Sequence, residues 1–364
     1  MKRLRVALVG TGVGMSHAKM YQSLPDLFEV SAVCEIDEQR RNEFVDQIGV
    51  GFQTNQLESL FSQDLDLIDI CTPSALHFSQ AAAALEAGFH VVLEKPVARS
   101  LSEMDELERL EQQSGKRLFP IFQYRFGHGI QKLHHLIAKG LTGSPSMATA
   151  ETHWLRGEAY YSRGMWRSTW DGAAGGSFAT HAIHIHDLLC QILGDPISVF
   201  AQASNCVNGY ETEDLGVVLM NFSNGAMASS SVTLGSTEQM SRLRFCFAGL
   251  TAEGGRDPYN PGHEPWTFSH DDPDQQARIN DELADFSPRP ERFPGQFLRI
   301  YEALAGNGQT PVSLADARRS IELLTAAYWS VKTGEIVQLP LSSDHPFYSG
   351  WIETMKQEFG KTQC

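Results

Sequence analysis

Through the first hundred residues, short apolar runs alternate with segments of helical period. "LRVALVG" is a β-branched run that stops at a glycine turn, and "GTGVGMSHAKMYQSL" behind it reads as a helix beginning near Val13. "FEVSAVCEID", "LDLIDICTPSALH" and "FHVVLEKP" repeat the strand pattern, with the strongly helical "FSQAAAALEAG" between the last two. Strands alternating with helices predict a parallel sheet. The character changes after "KRLFPIFQYRF". One helix, "GIQKLHHLIAKG", precedes the runs "SPSMATAETHWLR", "PISVFAQASN", "LGVVLMNFSNGAMASSSVTLG" and "RLRFCFAG". Gly, Asn and Ser turns separate these runs without regular helices between them, which predicts a largely antiparallel sheet. The expected organisation is an α/β domain over residues 1–123 and an α+β domain over 124–364.

A chain of 364 residues suits two domains, each able to bury a core. The formal charge of -15 argues against a broad cationic surface for nucleic acid or anionic membrane. "MKRLRVALVG" breaks into glycines too early for an export signal, and no later run is long enough to span a bilayer, so a cytoplasmic protein is expected. The six cysteines are scattered without C-x-x-C spacing and are expected to be mostly buried thiols.

The first turn has the context of a dinucleotide site, since Gly10 and Gly12 let backbone amides approach a pyrophosphate at a positive helix end. The candidate cradle runs through Gly10, Thr11, Gly12, Val13, Gly14 and Met15. The third glycine of G-x-G-x-x-G falls at Met15, with Gly14 one residue early. Glu35, at the end of the next strand, can accept from both adenosine ribose hydroxyls and repels a 2′-phosphate, which favours NAD over NADP. Arg40 keeps NADP open. Glu94-Lys95-Pro96 ends another strand, where ligands of such folds lie, and a partly buried Lys95 beside a nicotinamide would exchange a proton near neutrality.

"GGSFATHAIHIHDLL" carries His181, His184 and His186 behind Gly175 and Gly176. On a helix from Ser177, Thr180, His181, His184 and Leu188 share roughly one side, whereas His186 is turned about 200° from His184. The three histidines do not converge, no zinc motif is met, and no metal is expected. His184 is the candidate proton carrier. Before this helix, "HWLRGEAYYSRGMWRSTWDGAAGG" supplies aromatic faces and guanidinium forks suited to a polyhydroxylated ring, with His153, Tyr160 and Arg163 as first contacts.

Together, the Gly10-Thr11-Gly12 turn with His17, Thr72-Pro73 with His77, Glu94-Lys95-Pro96, Arg125, and the Gly175-Gly176 helix with His184 and Asp187 resemble the Gfo/Idh/MocA oxidoreductases. The resemblance covers nearly the whole chain, down to the closing segment from Ala303 to Leu341. It implies an N-terminal Rossmann-type parallel sheet and a C-terminal open, mostly antiparallel sheet that binds substrate and forms a homodimer or homotetramer. It implies NAD(P)-dependent oxidation of a sugar, sugar acid or cyclitol hydroxyl, with Lys95 and His184 catalytic. By the same resemblance Thr72, Pro73, His77, Glu94, Lys95, Pro96 and Arg125 join the cofactor site, and Lys95, Thr180, His181 and His184 touch substrate. Members often carry an aspartate where this chain has Thr180, which cannot act as a carboxylate. Redox-assisted glycosidic cleavage with recycled NAD and a non-catalytic NAD-binding regulator are the rival readings.

Overall fold

A computed structural model describes residues 2–360. They form two compact units. The first holds β1 (Leu4–Val9), β2 (Phe28–Cys34), β3 (Phe52–Thr54), β4 (Leu67–Ile70), β5 (His90–Leu93) and β6 (Leu118–Pro120). All neighbours are parallel, in the order β3-β2-β1-β4-β5-β6. The order reverses between β1 and β4, whose carboxyl ends therefore bound the crevice at which such sheets take ligands.

The opening stretch of the first unit ends at Phe122, and the second unit is interrupted in sequence. Phe293–Ile321 returns to the first unit. Burial explains the return: on the helix Arg292–Leu304, Phe297 and Ile300 are fully buried with Val6, Tyr21 and Phe28. The Phe297 ring stacks on Tyr21 at 4.1 Å. Gln296 ties the backbone there, donating to Pro120 O (2.7 Å) and accepting from Phe122 N (3.2 Å).

The second unit holds β7 (Pro145–Leu155), β8 (Pro196–Ser204), β9 (Leu215–Phe222), β10 (Met227–Thr233), β11 (Gly235–Phe247), β12 (Thr251–Gly254), β13 (Trp266–Ser269) and β14 (Val337–Gln338), in the order β13-β12-β11-β7-β10-β9-β8-β14. The sheet is mixed, because β7 and β10 pair in parallel from Met147 opposite Met227 to His153 opposite Thr233. Turn residues report which neighbouring strands form hairpins and carry no signal for this long-range closure. Alternation along β7 buries Ala148, Ala150, Thr152 and Trp154 on one face. The helix Ile183–Leu193 covers that face, with His186 Nε2 3.1 Å from Ser230 Oγ. Among the described residues no helix is long and apolar enough to cross a membrane.

Candidate active site

The three glycines at the end of β1 divide the work of a dinucleotide turn. Gly10 has φ +86°, and a Cβ there would meet Cys71 O at 3.0 Å, so only glycine turns the chain this tightly beside β4. At Gly12 a Cβ would meet nothing within 4 Å, leaving backbone open to an approaching pyrophosphate. Gly14 is buried, and its Cβ position lies 3.3 Å from Cys71 Cβ, which lets the helix Gly14–Gln22 pack closely on the sheet. Gly14 thus does the packing expected of a third glycine, and Met15 does not need to. Glu35 is buried beside this turn, its Oε2 accepting from Thr11 N (2.9 Å) and Thr11 Oγ1 (2.8 Å), its Oε1 from Asp37 N (3.1 Å). An open amide turn at a helix start with a carboxylate at the next strand end fits the phosphate and ribose of NAD.

Lys95 is anchored from below by residues the sequence reading left unlinked. His17 Nδ1 lies 2.9 Å from Asp69 Oδ2, and His17 Nε2 lies 3.2 Å from Glu94 Oε1. The second Glu94 oxygen accepts from Lys95 N at 3.1 Å. Tyr21 OH also donates to Asp69, at 2.9 Å. Burial opposes charge on His17, but the adjacent Asp69 carboxylate holds its pKa well above the ordinary histidine value, in a ring set between two acids. The available signal was Asp69 itself, an acid inside the otherwise apolar run "LIDI". His77 joins Thr72 to Pro96: its Nδ1 lies 2.7 Å from Pro96 O and its Nε2 2.9 Å from Thr72 O. Burial pulls the His77 pKa down against these two carbonyls, which favour the charged ring. Thr72, Pro73, His77, Glu94, Lys95 and Pro96 therefore form one connected rim at the ends of β4 and β5.

In the second unit, Gly175 and Gly176 make the entry to the histidine helix possible. A Cβ at Gly176 would lie 1.8 Å from Glu213 O. The buried Glu213 carboxylate accepts from Gly176 N (2.8 Å), Phe178 N (2.9 Å) and Tyr328 OH (2.8 Å). Burial nevertheless raises its pKa to about 7. Phe178–Ala182 is a turn of π-helix, followed by the α-helix Ile183–Leu193. The wider turn invalidates a constant 100° per residue, so Thr180, His181 and His184 do not form the single stripe expected from regular spacing. His181 meets Trp154 and Arg156, His184 stacks on Tyr124 with ring centres 4.6 Å apart, and His186 meets Ser230. Asp187, one turn beyond His184, takes a bidentate bond from the buried Arg125, with Nε 2.6 Å from Oδ2. Arg125 is thus a support of the histidine helix.

Tyr160 does belong with His181, their rings 5.5 Å apart. His153 does not: it projects from the opposite face of β7 to Trp154, and its Nε2 lies 2.9 Å from Ser231 Oγ. Arg163 is exposed, and the guanidinium in the cluster is Arg156.

A parallel sheet of this order, with a glycine cradle at its switch point, is the architecture of a dinucleotide-binding domain. Residues 4–122 match the model of the oxidoreductase family with an NAD-binding Rossmann fold, and residues 130–252 match the GFO/IDH/MocA C-terminal domain. The chain belongs to the Gfo/Idh/MocA family and is an NAD(P)-dependent dehydrogenase. The WlbA dehydrogenase of Bordetella pertussis, solved with NADH and UDP-GlcNAcA, superimposes with a TM-score of 0.82 at 26% identity, covering 94% of this chain and 100% of that one. A D-glucoside 3-dehydrogenase of Escherichia coli K12 is 27% identical over 92% of this chain and 97% of its own length. An uncharacterised oxidoreductase of the same organism is 26% identical over 90% of this chain and 96% of its own.

Proposed function

We propose that this protein oxidises a secondary ring hydroxyl of a sugar, sugar acid or cyclitol, with NAD as cofactor. The observation that carries the reading is Lys95, fixed at the end of β5 through Glu94 and the buried His17, in the same unit as a complete dinucleotide cradle. Activities named for relatives, a D-glucoside 3-dehydrogenase and an enzyme bound to UDP-GlcNAcA, support a pyranose substrate. Bound NAD supplies the hydride acceptor. Gly10 to Met15 hold its pyrophosphate, Glu35 its adenosine ribose, and the rim of Thr72, Pro73, His77, Glu94 and Pro96 orders the turn presenting Lys95. His184 takes the hydroxyl proton, with Lys95 assisting or substituting. Tyr160, Thr180 and His181 meet the sugar, and a homodimer or homotetramer forms through the eight-stranded sheet, whose Val217, Leu219 and Met227 are exposed within one chain.

Turnover of sugars, sugar acids and cyclitols, followed by NADH absorbance together with product analysis, tests this reading. Stoichiometric NADH and ketone are expected. Bond cleavage without NADH accumulation selects the redox-assisted mechanism, and NAD binding without either product overturns the proposed substrate class.

Cofactor choice gives a separate check. Glu35→Ala removes the ribose acceptor and frees Thr11 from its anchor. Hydrogen bonds to a charged group are worth about 1.5–3 kcal/mol, so NADH affinity falls about tenfold or more while NADPH affinity falls less. Fluorescence titration of both cofactors measures the ratio, and an unchanged ratio removes Glu35 from the ribose site.

A further inference from the structure

Arg156 sits in a cradle of three rings. Its guanidinium carbon lies 4.9 Å from the centre of the Trp154 ring, 4.9 Å from Tyr160 and 5.0 Å from Tyr259. Nε donates to His181 Nε2 at 3.1 Å, and Nη1 donates to Leu155 O and Tyr259 OH, both at 3.0 Å. Arg167 shares the Tyr160 ring, 5.6 Å from its centre, and lies 4.4 Å from Trp166. Among the described residues neither guanidinium forms an ion pair with a carboxylate. The nearby Glu238 pairs with Arg256 at 3.3 Å, and Asp257 accepts from Tyr259 N. In a chain with 44 acidic and 29 basic residues, two adjacent arginines held by aromatic rings and left unneutralised are a built positive site.

The hydrogen-bond directions connect this charge to the histidine helix. Because Arg156 can only donate, His181 Nε2 accepts, and the proton of the neutral ring lies on Nδ1. His181 Nδ1 therefore donates to Thr180 Oγ1 at 2.6 Å, and the Thr180 hydroxyl donates to Gly176 O. Thr180 has no proton left for substrate, and His181 cannot take one without losing Arg156. Arg156 is thus tied to the start of the histidine helix through His181 and Thr180.

We propose that Arg156, assisted by Arg167, recognises an anionic substituent of the substrate, a carboxylate or phosphate on a sugar ring that rests against Tyr160. This rests on the sugar dehydrogenase reading and narrows its substrate class to acidic sugars. It replaces the exposed Arg163 and the oppositely directed His153 as the polar recognition element.

The test compares methyl β-D-glucopyranosiduronate, glucose 6-phosphate and neutral methyl β-D-glucopyranoside, by calorimetric binding to the NADH-loaded protein and by kcat/KM. The wild type is expected to favour one anionic sugar over the neutral glycoside about tenfold or more, and the preferred probe identifies carboxylate or phosphate. Arg156→Gln brings that ratio near one, Arg156→Lys retains part of it, and Arg167→Gln lowers it several-fold. NADH affinity reports that each variant is folded. Equal binding of charged and neutral probes, binding of none, or a preference that survives in Arg156→Gln overturns the proposal. Anion preference without turnover of any probe supports the proposal and counts against the dehydrogenase reading.

Discussion

His184→Ala is expected to lower kcat about 10²- to 10⁴-fold, the usual contribution of a positioned acid-base group, while NADH affinity stays unchanged. The residue is buried on the helix Ile183–Leu193, its ring set on Tyr124, so its orientation is held by packing. His184→Gln preserves bulk against Tyr124 without imidazole chemistry and should fall almost as far. Lys95→Met isolates the other candidate, since its long side chain keeps the rim packed while removing the ammonium. If the two groups handle one proton together, the double variant His184→Ala/Lys95→Met is little worse than the worse single variant. Losses that multiply would mean independent roles, and undiminished kcat in His184→Ala would remove that residue from the chemistry. Stopped-flow NADH formation on the best substrate of the panel reads the step directly, and cofactor titration confirms that binding has survived.

The sequence showed the parts of this site that depend on local chain behaviour. A glycine run after an apolar strand, an acid at the end of β2 and a lysine-proline pair after β5 are local signals at the ends of parallel strands. Long-range closure was not legible. Nothing near Phe297 says that its ring stacks on Tyr21, and nothing in the hairpin signals says that β10 runs parallel to β7. The π-turn at Phe178–Ala182 was hidden for a different reason. It begins two residues after Gly176, which packs against Glu213, and it shifts the phase of every residue after it. A helical wheel drawn through Thr180 and His184 therefore misplaced both relative to each other, although the chemistry assigned to His184 needed only that the residue be on the helix. Polar networks were partly legible: Asp69 in an apolar strand marks a buried partner without naming His17 as that partner.

Asp187→Ala is expected to be the most destabilising single change in the second unit. Arg125 and Asp187 are both almost fully buried, with side-chain exposures of 4% and 2%, and their planar groups meet in a bidentate pair. Removing the carboxylate leaves the guanidinium buried without its two charge-assisted bonds, a loss of about 3–5 kcal/mol. For a unit of this size that corresponds to a fall in Tm of the order of 10 °C, measurable by scanning calorimetry. Replacing both partners by apolar residues, Arg125→Met with Asp187→Leu, should recover much of the loss, because the cost lies in the uncompensated charge more than in the missing attraction. Equal losses in the single and double variants would show that packing rather than charge sets the stability here. Catalysis separates the pair's two contributions. Asp187 lies one helical turn beyond His184, so even at temperatures where Asp187→Ala remains folded, a looser helix lowers kcat. The apolar pair should restore Tm more fully than kcat, since it refills the space without reproducing the rigid fork that fixes the helix in rotation.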